Sequence, residues 1–117
     1  MNARHVLVVE DSLPCRKMLE IHLTNAGYMV TAAVDAKEAI EALAQKKFDG
    51  MICDLVLPIG NGIDIIKALR RLQPTAFAIA VTGMISEDIR IYALGEGFDR
   101  FVFKPYRASE LIEMLPG

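Results

Sequence analysis

Short apolar runs alternate along the chain with stretches in which apolar residues recur every three or four positions. A nearly unbroken apolar run suits a strand covered on both faces of its sheet, whereas recurrence at three and four residues is the stripe of an amphipathic helix. Five such pairs are legible, with strands predicted over 5–10, 28–33, 50–54, 77–82 and 100–103 and a helix after each. Strand and helix in strict alternation predict an α/β domain built on a mainly parallel sheet.

Local signals set the predicted boundaries. Ser12 stands where a helix N-cap is wanted, Pro14 falls in the first turn, and Gly27 is a natural stop; Cys15, Met18, Leu19, His22, Leu23 and Ala26 form the intervening stripe. Asp35 with Glu38 resembles a capping box for a helix reaching about residue 46. Pro58, Gly60, Asn61 and Gly62 mark a loop before the stripe Ile65, Ile66, Leu69 and Leu72, which Pro74 closes. A short fourth helix over 86–94 ends at Gly95 or Gly97, and a fifth begins near Arg107 with Ala108, Leu111, Ile112 and Leu115 inward. There are no internal repeats or low-complexity tracts.

Four of the strands end on reactive side chains: Glu10 with Asp11, then Asp54, Thr82 and Lys104. In a parallel α/β sheet, ligands bind outside the carboxyl ends of the strands, where the strand order reverses, so these distant residues would meet in one pocket. Three crowded carboxylates repel one another, and either one takes up a proton or a hard cation sits among them, for which Mg²⁺ is the usual cellular ion. With Lys104 as a point charge and Thr82 as a hydroxyl donor, the set suits phosphoryl transfer, in which catalysis is mostly positioning and charge neutralisation. Asp54 is the candidate nucleophile, since Glu10 and Asp11 are adjacent and suited to share the metal.

Composition narrows the field further. A chain of 117 residues is one domain, 1–117, large enough to bury a core without disulfides. A formal net charge of −2 suggests neither a nucleic-acid nor a membrane-surface partner. No apolar stretch approaches the ~20 residues of a bilayer span, and no secretory signal is legible at the N-terminus, so a cytoplasmic location is expected. Cys15 and Cys53 lack metal-ligand spacing and read as free thiols; His5 and His22 read as surface or packing residues.

These residues resemble the receiver domain of bacterial response regulators, and the likeness covers essentially the whole chain. VVEDS is similar to the acidic pair after the first strand, DLVLP with GNG to the phosphoacceptor loop, VTG to the switch threonine, and FVFKP to the lysine and proline. The resemblance implies a flavodoxin-like (βα)5 fold, doubly wound, with five parallel strands in the order 2-1-3-4-5. It implies that Asp54 receives phosphate from a sensor histidine kinase or phosphotransfer protein, the domain catalysing its own phosphoryl transfer without being a conventional enzyme. Mg²⁺ would be held by Glu10, Asp11, Asp54 and the carbonyl of Val56. Lys104 would pair with the acceptor, Thr82 and Phe101 would act as the switch pair, and Lys104–Pro105 would be a cis peptide, accessible because proline follows. The output would be a changed surface on helix 4, strand 5 and helix 5, with Tyr92, Arg90, Arg100 and Phe103 as candidates, read by a downstream protein, a fused output domain or a second copy. No direct nucleic-acid or membrane contact is implied.

Some positions depart from the commonest pattern. Glu10 replaces a frequent Asp, and Phe101 replaces a commoner Tyr, leaving the switch to packing alone. Val56 and Met84, two residues after Asp54 and Thr82, are apolar where the family can carry polar side chains that orient water. A haloacid-dehalogenase-type phosphatase would need an Asp at position 56, and a flavin-binding flavodoxin would need a phosphate cradle where Glu10 and Asp11 stand. The remaining alternative is a receiver-like binding module acting without phosphorylation.

Overall fold

A computed structural model of the protein describes residues 4–116. Five parallel strands run β1 (His5–Val9), β2 (Met29–Ala33), β3 (Gly50–Asp54), β4 (Phe77–Thr82) and β5 (Arg100–Phe103), in the spatial order β2-β1-β3-β4-β5. Helices α1 (Leu13–Asn25), α2 (Ala36–Gln45), α3 (Gly62–Leu72), α4 (Glu87–Glu96) and α5 (Ala108–Met114) follow the strands in turn. This is the doubly wound, flavodoxin-like arrangement. β1 pairs in parallel with both β2 and β3, with Val9 level with Ala33 on one side and Cys53 on the other. The strand order therefore reverses beside the ends of β1 and β3, which opens a crevice there.

Alternation along the central strands divides the core in two. Val6 and Val8 of β1 join Leu19 and Leu23 of α1 and Leu111 of α5 on one face. Leu7 and Val9 join Ala39 and Leu43 of α2, Ile65, Ile66 and Leu69 of α3 and Ala93 of α4 on the other. Each fully buried Leu or Ile contributes about 1.5–3 kcal/mol. That reserve lets the sheet's carboxyl edge hold a group of mutually repelling acids. Among the described residues no helix is long and apolar enough to cross a membrane.

Several boundaries and faces differ from the sequence expectation. β1 stops at Val9, and Glu10 lies just beyond it, although its amide still donates to the Ala33 carbonyl at 3.0 Å. Ser12 occupies the N-cap of α1 but makes no side-chain cap bond. On α1, His22 and Ala26 are exposed, so the buried stripe narrows to Leu19 and Leu23 with Met18 and Cys15 half-buried. Leu72, the last residue of α3, is exposed although Leu69 in the same turn is fully buried. Asp35 does cap α2, accepting from the Glu38 amide at 2.9 Å, while Glu38 reaches the amide of Val34 instead of closing a reciprocal box. α4 extends to Glu96, and Gly97 with φ of 126° closes it, the later of the two expected stops.

Candidate functional site

Each reactive residue is delivered by a strand end or the loop just after it. Glu10 and Asp11 follow β1, Asp54 and Thr82 are the last residues of β3 and β4, and Lys104 follows β5. The ladder continues past the strands through Leu55 N–H to the Val81 carbonyl (3.0 Å) and Lys104 N–H to the Thr82 carbonyl (2.8 Å), so these positions stay level. Gly62 holds the loop after β3 against α3. A Cβ there would fall 2.8 Å from the Asp54 carbonyl and 2.9 Å from the Leu55 Cα, and its amide donates to the Leu55 carbonyl at 3.0 Å. Asn61 caps α3 with its side-chain oxygen on the amides of Ile63 and Asp64.

Asp11, Asp54, Val56, Thr82, Gly83, Met84 and Lys104 line a cleft of about 370 Å³ at this edge. Glu10 lies beneath it, 1% exposed, with Asp54 at 4%; Asp11 is exposed. One carboxylate oxygen from each of the three acids falls within 4.8 Å of the others. Lys104 Nζ donates to Glu10 Oε1 at 3.0 Å and to Asp54 Oδ2 at 2.5 Å. The other Asp54 oxygen accepts from the Val56 amide at 3.0 Å, so both carboxylate oxygens are held. One ammonium thus stands against three carboxylates, all hard oxygen donors of the kind a divalent ion takes.

Burial pushes the Glu10 carboxyl above the ordinary 4.5, and the Ser12 amide and Lys104 only partly offset it. Burial pulls Lys104 down, but its hydrogen bonds to Asp54 and Glu10 outweigh this and hold the ammonium above the ordinary lysine range. A carboxyl raised in the fold binds its proton more tightly than in the unfolded chain, so Glu10 adds stability as pH falls through its raised value toward 4.5 and withdraws it above. In metal-free buffer, the melting temperature of the native protein relative to Glu10→Gln is expected to rise as pH falls from about 7 toward that limit. A flat difference would contradict the burial effect.

Thr82 is fully buried, and its hydroxyl oxygen accepts from the Met84 amide at 3.1 Å. Phe101 is half-buried against the α4 side of the core and meets Phe103 edge-on at 5.1 Å between ring centroids. Lys104–Pro105 is a cis peptide. Val56 and Met84 are 55% and 51% exposed at the cleft. Of the residues expected on the output surface, Tyr92 and Arg100 are exposed, Arg90 is engaged by Glu87 on its own helix, and Phe103 is half-buried. His22 stands free of the site, and His5 hydrogen-bonds Thr31 Oγ1 at 2.7 Å at the far end of β1. Cys15 and Cys53 are free thiols.

Three participants were not singled out from the sequence. The Ser12 amide donates to Glu10 Oε2 at 3.1 Å, a backbone contact that no side-chain pattern announces. Arg16 Nη1 donates to the carbonyls of Glu10 (3.0 Å) and Asp11 (3.3 Å); an arginine in the first turn of a helix, five residues after an acidic pair, was the available signal. Tyr106 adjoins Lys104 in a groove with Cys15, Met18 and Pro105, and its hydroxyl is buried without a hydrogen-bond partner. Burial, with the Glu10 charge second, pushes that phenol up to about 12.

The sequence and the fold are similar to those of known proteins. The chemotaxis protein CheY of Thermotoga maritima is 34% identical over 113 residues, covering 96% of this chain and 94% of that one. The response regulator SaeR of Staphylococcus aureus is also 34% identical, over 92% of this chain, which spans 47% of SaeR's length. Chemotaxis protein CheY4 of Vibrio cholerae superposes with a TM-score of 0.90 at 28% identity, over 97% of each chain. A Burkholderia pseudomallei response regulator, solved with a phosphorylated aspartic acid, a calcium ion and citrate, gives 0.91 at 28% identity over 97% of this chain and 66% of its own. The family model for the response regulator receiver domain matches residues 6–116. A parallel sheet in the order 2-1-3-4-5, an acid cluster at its carboxyl edge and a sequence match over nearly every described residue have one common account: this chain belongs to the response regulator receiver domains of two-component signalling.

Proposed function

We propose that residues 1–117 work as one cytoplasmic phosphorylation switch, in which Asp54 accepts a phosphoryl group from the phosphohistidine of a sensor histidine kinase or phosphotransfer protein. The observation that carries this reading is the meeting of Asp54, Lys104, Thr82 and the Glu10–Asp11 pair in one cleft. Asp11, Asp54, the Val56 carbonyl and Glu10, directly or through water, would hold Mg²⁺. When bound, that ion supplies neutralising charge to the oxygens of the group in transfer. The phosphorylated aspartate and calcium of the Burkholderia relative belong to that protein and support the analogy.

An Asp54 carboxylate oxygen forms the new O–P bond as the N–P bond of the donor breaks, and the bonding pair leaves with the imidazole nitrogen. Lys104, already on Asp54 Oδ2, needs only a small shift to follow the developing charge onto a phosphoryl oxygen. Thr82 accepts from Met84, so its own hydrogen remains to be donated. Drawing Thr82 inward would vacate space for Phe101, and the α4–β5–α5 surface would change for a downstream protein, a fused output domain or a second copy. Such a switch requires only that the phosphoryl group favour one of two existing conformations.

The test is incubation with Mg²⁺ and acetyl phosphate, followed by intact-mass measurement and mapping. One phosphoryl group on Asp54 is expected. No gain under excess donor would overturn the switch and leave a module that docks constitutively. Val56 and Met84 are apolar and neither can orient an attacking water, so the phosphorylated domain is expected to lose its phosphate slowly with Mg²⁺ present. Val56→Gln should shorten the lifetime several-fold; rapid loss from the native protein would contradict this account.

A further inference from the structure

We propose that Arg16 is a positioning residue that holds the loop between β1 and α1 in the conformation a divalent ion needs, an inference that rests on the metal-site reading above. Arg16 stands at the fourth position of α1, whose first turn contains no acidic residue. A cation near a helix N-terminus opposes the helix dipole, so something else must favour it there. Its Nη1 donates to two successive carbonyls, Glu10 at 3.0 Å and Asp11 at 3.3 Å. Both bonds leave one nitrogen, which lies one bond farther along the side chain than a lysine ammonium, so lysine at this position would reach the two carbonyls less well.

The two acids are anchored unequally. Glu10 is held through its amide by Ala33 and through its carboxylate by Ser12 and Lys104. Asp11, among the described residues, has only the Arg16 contact to its carbonyl. Repulsion from Glu10 and Asp54, whose oxygens lie within 4.8 Å, therefore acts on the least tethered member of the cluster. Clamping the carbonyls of both residues from behind keeps the Asp11 carboxylate at the cleft without placing the guanidinium among the cleft's lining residues.

Charge and position make opposite predictions, which makes the idea testable. If Arg16 acted only through its charge, Arg16→Met would tighten Mg²⁺ binding and Arg16→Lys would leave it unchanged. If it acts as a clamp, calorimetric titration with Mg²⁺ will show Arg16→Met weakened by roughly tenfold or more, the scale seen when groups orienting metal ligands are removed, with Arg16→Lys in between. The Mg²⁺ concentration giving half the maximal rate of acetyl phosphate uptake should rise by the same factor, and added Mg²⁺ should recover most of the rate. Mg²⁺ affinity in Arg16→Met equal to or above native overturns the proposal while leaving the metal site intact. Should that variant lack the native circular dichroism, unchanged affinity in Arg16→Lys overturns it instead. A native protein that binds no Mg²⁺ removes the metal-site reading and this proposal with it.

Discussion

Asp54→Asn is expected to take up no phosphoryl group from acetyl phosphate with Mg²⁺, at any donor concentration that labels the native protein. An amide is a poor nucleophile and carries no charge for Lys104 to pair with, whereas its volume matches the carboxylate, so the loop should keep its form. In the native protein Asp54 Oδ1 accepts from the Val56 amide and Oδ2 from Lys104. Asparagine can preserve the first bond through its carbonyl oxygen but turns a donor toward the ammonium, breaking the second. Intact mass decides the matter. A variant that still gains one phosphoryl group would place the acceptor elsewhere, with Asp11 as the nearest exposed carboxylate.

Lys104→Met should produce the second large effect, on both rate and stability. It leaves Glu10 and Asp54, 1% and 4% exposed, without the cation that now joins them. Breaking a fully buried ion pair costs about 3–5 kcal/mol. The Lys104 side chain is 29% exposed and the cleft opens to solvent, so we expect about 2 kcal/mol in metal-free buffer. At about 2.1 cal/mol/K per residue over 117 residues, that lowers the melting temperature by roughly 8 °C. Mg²⁺ should restore more stability to the variant than to the native protein, since ion and ammonium neutralise the same carboxylates. Phosphoryl uptake should fall on the order of 10²-fold, the scale for losing one preorganised electrostatic contact. Native stability without metal would show that the pair at 2.5 Å and 3.0 Å carries no weight.

The strands were legible because β1, β3 and β4 are covered on both faces and so read as unbroken apolar runs. Three of the five strand spans agree with expectation, and β1 and β2 differ by one residue at an end. Helix faces were harder. His22, Ala26 and Leu72 recur at helical spacing yet are exposed, because spacing defines a stripe wider than the strip of sheet each helix covers. Ser12 was the right residue at the N-cap, but its side chain makes no cap bond and its amide turns to Glu10 instead. Capping propensity is a local average, and a buried carboxylate needing a donor outweighed it.

By itself, the sequence determined the alternation of strand and helix, the position of each reactive side chain at a strand end, and the two apolar residues at the cleft. All of these follow from short-range periodicity and side-chain chemistry. Only the tertiary structure decided that Lys104 bridges Glu10 and Asp54 across 94 and 50 residues of chain, that Glu10 lies buried while Asp11 is open, and that Arg16 reaches back to both carbonyls. Those outcomes depend on which strands become neighbours and how far each side chain sinks below the edge, and long-range pairing sets both.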